Sequence, residues 1–166
     1  FIRPGIERDG TWSYGQLCLA WQIVQTKSAL EGAPDELSIY ADERYWSGRA
    51  GSAVRRYTLR MDGFVSLHAP GAGGELLTRP LRFSGRKLSV NFSTSAAGGV
   101  AVEIQDESGR AIPGFALADC APLFGDTLDR HVAWKSGADV GALAGRTVRL
   151  RFAVRDADLY SYQFQE

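Results

Sequence analysis

Apolar and polar residues take turns along most of this chain with a period of two. In "GQLCLAWQIV" Leu17, Leu19, Trp21 and Ile23 share one face, and in "ELSIY" Leu37 and Ile39 do. "RKLSVNFS" turns Leu88, Val90 and Phe92 inward, and "GGVAVEIQD" does the same with Val100, Val102 and Ile104. Asn91, Glu103 and Gln105 fall in the outward phase, toward water. "TVRLRFAVR" sets Val148, Leu150, Phe152 and Val154 against a file of Arg149, Arg151 and Arg155. Such files predict antiparallel strands with one buried and one wet face. "VRRYTLRMDGFVSLHA" predicts two strands hinged at Asp62-Gly63, a pair suited to a tight turn.

No stretch has the 3.6-residue period of an amphipathic helix. "ADVGALAG" at 138–145 comes nearest, but glycine interrupts it and it is long enough only for a turn. "APGAGGE" at 69–75 and "SAAGG" at 95–99 read as the loosest loops. Many short strands between glycine-rich turns predict an all-β, antiparallel, jelly-roll-like β-sandwich. The first fifty residues differ in character. They hold Trp12, Trp21 and Trp46, three of the four tryptophans, and a long polar link, "TKSALEGAPDE". The expected organisation is therefore an appended N-terminal β segment over 1–52 and a sandwich over 53–166.

Composition removes several functions. Nineteen basic and nineteen acidic residues leave no net charge, so no overall basic surface for nucleic acid is expected. No apolar run approaches the roughly 18 residues of a membrane-crossing helix, and no membrane partner is expected. "FIRPGIERDG" lacks the basic start and apolar middle of a signal peptide, and the chain reads as cut from something longer. Its location stays open, with the cytoplasm favoured. Cys18 and Cys120 are far apart and outside any metal-type pair, so both read as plain buried thiols.

The residue types of catalysis are sparse. His68 and His131 are the only histidines, and neither G-x-S-x-G nor H-E-x-x-H occurs. His131 lies opposite Val132 and Trp134 in phase, which places it on the surface. Glu7 with Asp9, Asp42 with Glu43 and Asp156 with Asp158 are local acidic clusters, as turns commonly carry. Asp106, Glu107, Asp119, Asp126 and Asp129 could serve a structural calcium ion or could cap ordinary turns. Their spacing fits no EF-hand, and no other cofactor is expected. Trp12, Tyr14, Tyr45 and Trp46 lie in or beside loops, where a flat ring can stack on a sugar or pack against a neighbouring domain. These four are the candidate carbohydrate-binding residues; no catalytic residue is assigned. "NFS" at 91–93 is formally a glycosylation sequon inside a strand pattern.

Five runs then recur in order between Arg56 and Phe164: "RYTLRMDGFVS", "GGELLTRPLRFSGRKLSVN", "VAVEIQDESGRAIPGFALADC", "GDTLDRHVAW" and "LAGRTVRLRFAVRDADLYSYQF". Together they resemble the C-terminal region of bacterial proteins similar to five-bladed-propeller glycoside hydrolases of the levanase/invertase-like group. The resemblance implies a β-propeller ahead of this chain, with residues 1–52 as remains of its last blade. It also implies that the catalytic carboxylates lie in that propeller, in W-M-N-D-P-N, R-D-P and E-C motifs. None of these occurs here; Arg8-Asp9-Gly10 echoes the second but lacks its proline. The expected function is a non-catalytic accessory sandwich that buttresses the propeller. The alternative is a lectin-like carbohydrate-binding module using exposed aromatics. A homo-oligomer is a further candidate partner arrangement.

Overall fold

The computed structural model describes residue 2, residues 16–45 and residues 53–166, with only the backbone described for residues 16, 17, 44 and 45. The chain divides into two compact units, Phe1–Phe64 and Val65–Glu166. The described residues are all-β, in antiparallel sheets, as the alternation predicts.

The first unit is a small sheet built on β3 (Glu36–Tyr45). β1 (Gln16–Leu19) and β2 (Val24–Thr26) share one edge of it, and β4 (Val54–Arg60) lies along the other. β4 falls beyond residue 52, where the composition shift stands, yet it pairs with β3 from Asp42–Val54 to Glu36–Arg60. Asp62 does turn, at a φ of 55°. The strands on its two sides nevertheless do not form the expected hairpin. β4 joins β3, whereas β5 (Leu67–Ala69) joins the last strand, β9 (Arg149–Gln165). A turn signal reports local backbone, and pairing is decided by which edge offers a matching apolar file.

The second unit is a sandwich made from one long ribbon. β7 (Lys87–Gln105) and β9 run antiparallel from Lys87–Gln165 to Gln105–Arg149. β5 and β6 (Gly74–Leu77) pair with successive parts of β9, and β8 (Asp126–His131) pairs with the first part of β7. Phe152 and Tyr162 belong to the same strand, yet their ring centroids lie 5.4 Å apart. Ten residues of straight strand would separate them by about 33 Å. The ribbon therefore doubles over on itself, and its two halves become facing layers.

The fold happens where the ladder breaks. Opposite the single residue Asp156, four residues of β7, numbers 95–98, have no ladder partner. "SAAGG" is thus a corner inside one 19-residue strand, not a loop between two. Asp156 takes a φ of 44°, and the Ser95 hydroxyl donates to its carboxylate. A second irregularity skips Tyr160. Each extra residue flips the strand's phase, since side chains alternate strictly. The inward file accordingly runs Val148, Leu150, Phe152, Val154, then Ala157 and Leu159, then the partly buried Tyr162 and Phe164. Leu88, Val90, Phe92, Val102, Ile104, Val148, Leu150 and Phe152 all have zero exposure. This is the sandwich core the periodicity predicts.

Gly98 makes the corner feasible. A Cβ there would lie 2.3 Å from the Asp156 carbonyl oxygen and 2.8 Å from that of Arg155, and backbone cannot step aside as a flexible side chain can. Gly98→Ala should cost about 1–3 kcal/mol, the range for forcing atoms into a packed site. Gly99→Ala meets only Leu123 O, at 3.6 Å, and should be far milder. Thermal melts of the two variants side by side check this; equal melting temperatures would mean the corner is not tight.

Candidate functional site

The first unit's sheet presents the largest unmet chemistry. In β3, Leu37, Ile39 and Ala41 alternate with Glu36, Ser38 and Tyr40. The polar side is tied down by Arg56, which donates to Ser38 Oγ at 2.7 Å, Thr26 Oγ1 at 2.8 Å and Glu36 Oε1 at 2.5 Å. Among the described residues of this unit only Ser38, Ile39 and Ala41 are buried. Leu19, Ile23, Val24, Leu30 and Val54 are exposed, and Trp21 is 92% exposed. The file Leu17, Leu19, Trp21 and Ile23 thus has the expected spacing but not the expected burial at its last three positions. β1 ends at Leu19, and Gln22 adopts a φ of 80°, so the chain leaves the ladder before Trp21 can enter a core.

Of the four candidate sugar-stacking residues, Trp12, Tyr14 and Trp46 lie outside the described residues. Tyr45 is the last residue of β3, and only its backbone is described. Glu7 and Asp9 also lie outside them. Among the described residues Trp21, absent from those four, is the indole that stands in water.

The second unit carries a polar network on the outer face of the ribbon. Glu103 and Gln105 are in the outward phase of β7 but do not face water; they are 7% and 6% exposed. The stretch "AIPGFAL" folds back along β7 instead of leaving it. Ile112 N donates to Ile104 O, Ile104 N to Phe115 O, and Leu117 N to Glu103 Oε2. Glu103 also accepts from Gln105 Nε2 at 2.8 Å and lies 3.5 Å from Arg151, whose other nitrogens hold Glu75. Burial pushes the Glu103 carboxyl upward, but the Gln105 amide, the Leu117 N–H and Arg151 together outweigh it and hold its pKa below the ordinary value. Asn91 is also buried, at 3%, in a stretch of β7 flanked by β8 and β9, so the sequon asparagine is sunk in the folded protein.

The remaining polar groups are structural in their contacts. Asp106 accepts from Ser108 Oγ, Ser108 N and Arg110 N, which closes the turn and lowers its pKa to about 2. Asp119 pairs with Lys135 at 3.0 Å and Glu43 with Arg55 at 2.9 Å. Among the described residues no three His, Cys, Asp or Glu side chains are grouped to hold a metal ion. Ser66 and His68 both contact Asp158 Oδ1, at 2.7 and 3.3 Å. A nucleophile must instead hand its proton to the histidine, and here serine and histidine hang from the same carboxylate oxygen. His131 is exposed, as its phase predicts, and sits 3.1 Å from Gln165 Oε1. Cys120 is buried, with the thiol pushed up by burial, whereas Cys18, expected to be buried, is exposed on β1.

No family model matches this chain, and no curated protein or solved structure is similar enough to it to count as a match.

Proposed function

We propose that this chain is a non-catalytic accessory part of a glycoside-hydrolase-like protein, whose N-terminal sheet docks on a β-propeller. The observation that carries the reading is the small sheet of β1 to β4, with Trp21, Leu30 and Val54 in water and three buried residues among those described. A sheet so poorly covered gains its stability by burying a face against another layer. Exposed apolar groups concentrated in one small unit mark an interaction surface. A blade of a propeller is such an antiparallel sheet, stabilised only by its neighbours. The five motifs between Arg56 and Phe164 supply the glycoside-hydrolase context.

The carboxylates speak for an accessory role. Asp35, Glu103, Asp106 and Asp139 are all shifted downward by their hydrogen-bond partners, whereas a general acid for glycoside cleavage needs an upward shift.

Two measurements test the reading. The purified chain should release nothing from a panel of aryl glycosides and β-fructans. Turnover that disappears in a Glu7→Gln, Asp9→Asn double variant would overturn it. An apolar fluorescent dye should bind the wild-type chain and bind much less to a Trp21→Ser, Leu30→Ser variant. Saturable binding of a neutral oligosaccharide, lost in Trp21→Ala, would favour the carbohydrate-binding alternative instead.

A further inference from the structure

The formal charge of the chain is zero, but the charges are not evenly spread. At one end of the sandwich an open hollow of about 480 Å³ is lined by Arg82, Arg110, Arg146, Ser108 and Thr147, with Asp106 and Glu107 as its acids. Three separate segments contribute: the stretch after β6, the 106–110 turn and the turn that leads into β9.

The pairing within this group is incomplete. Asp106 is spent on the turn, taking Ser108 and Arg110. Arg82 donates only to the Thr147 hydroxyl, at 3.1 Å. Among the described residues Arg146 makes no ion pair. Arg149 opens β9 two residues after Thr147, just outside the hollow's lining, and its Nε is buried without a hydrogen-bond partner. The contrast with its neighbour is instructive. Arg151, two residues on in the same file, is held by both Glu75 and Glu103. Like charges gathered on converging turns repel one another unless an anion sits between them. Guanidinium groups, with hydroxyl donors beside them, are the groups that hold oxyanions in directed, charge-assisted hydrogen bonds.

We propose that this hollow binds an oxyanion group, with Arg82 and Arg146 as its principal ligands and the Thr147 hydroxyl as a further donor. The same chemistry serves a free inorganic ion and a sulfate ester carried on a polysaccharide. Glu107 at the rim opposes the anion and limits its affinity.

The test is an amide-resolved NMR titration of the whole chain with inorganic sulfate and inorganic phosphate. Parallel arms use dextran sulfate and uncharged dextran. Saturable shifts confined to residues 82, 106–110 and 145–149 are expected. Arg82→Ala and Arg146→Ala should each weaken binding roughly tenfold. Glu107→Gln should strengthen it, and Arg130→Ala, on the exposed edge of β8, should leave it unchanged. Both arginines to be replaced are exposed, so an unchanged melting temperature confirms that the variants fold. Saturation by the free ions identifies a small-anion site; saturation by dextran sulfate alone identifies the polymer as the source. The absence of saturable shifts in every arm would overturn the proposal, as would equal binding in the Arg82→Ala, Arg146→Ala double variant.

Discussion

Phe152→Ala should lower the unfolding free energy of the sandwich by about 3–5 kcal/mol, the range for emptying a buried ring site. Phe152 has zero exposure and touches the ring of Tyr162 from the far half of its own strand. Its removal opens a cavity between the two halves of the ribbon, where neither half can close in without straightening the bend. Denaturant titration followed by backbone circular dichroism reads the effect as a lower midpoint. A loss below about 1 kcal/mol would mean that the facing layers do not share this residue as a common core.

The core was legible because alternation is a local signal. Leu88, Val90 and Phe92, or Leu150 and Phe152, declare their side of the sheet within five residues. The corner was not legible. "SAAGG" has the composition of a loop, and only the approach of Asp156, some sixty residues away, makes it the bend of a continuous strand. Glu103 and Gln105 fail for a related reason. Period two reports which side a residue faces, and a returning segment such as Ile112–Leu117 can cover that side afterwards. Trp21 fails in the opposite sense: its phase is apolar, but the strand ends before it. The hollow of Arg82, Arg110 and Arg146 joins positions spread over sixty-five residues, and no linear motif marks it.

Glu103→Ala should cost about 3 kcal/mol at neutral pH, because it strands the Leu117 N–H and the Gln105 amide beneath a covering segment and deprives Arg151 of one of two carboxylates. Glu103→Gln keeps the shape and one acceptor and should cost less. The same network sets an acid limit. Glu103 has a folded pKa below its ordinary 4.5, and Asp106 falls from 3.8 to about 2. Both groups therefore bind protons more weakly folded than unfolded. Their stabilisation is present above the unfolded values and is lost as pH falls through the folded ones. Stability should decline from about pH 4 toward pH 2, with a shallower slope in Glu103→Ala. Parallel acid titrations of the two proteins check this, and identical slopes would remove Glu103 from the account.

The ribbon that makes the sandwich also dictates when it can exist. Its nearest rung joins Gln105 to Arg149 and its farthest joins Lys87 to Gln165, so β7 lacks its longest partner while the ribosome is still adding residues 106–148, and only the 112–117 return and β8 can pair with it. During that interval Leu88, Val90, Phe92, Val102 and Ile104 travel as an apolar strand whose β9 edge is open, a state prone to pair with the wrong chain. Closing the ribbon therefore waits until β9 has been made, and it is slow for the unit's size because its rungs join residues 44 to 78 positions apart. How long that edge stays open is set by the distance between β7 and β9 along the chain, not by the stability of the finished sandwich.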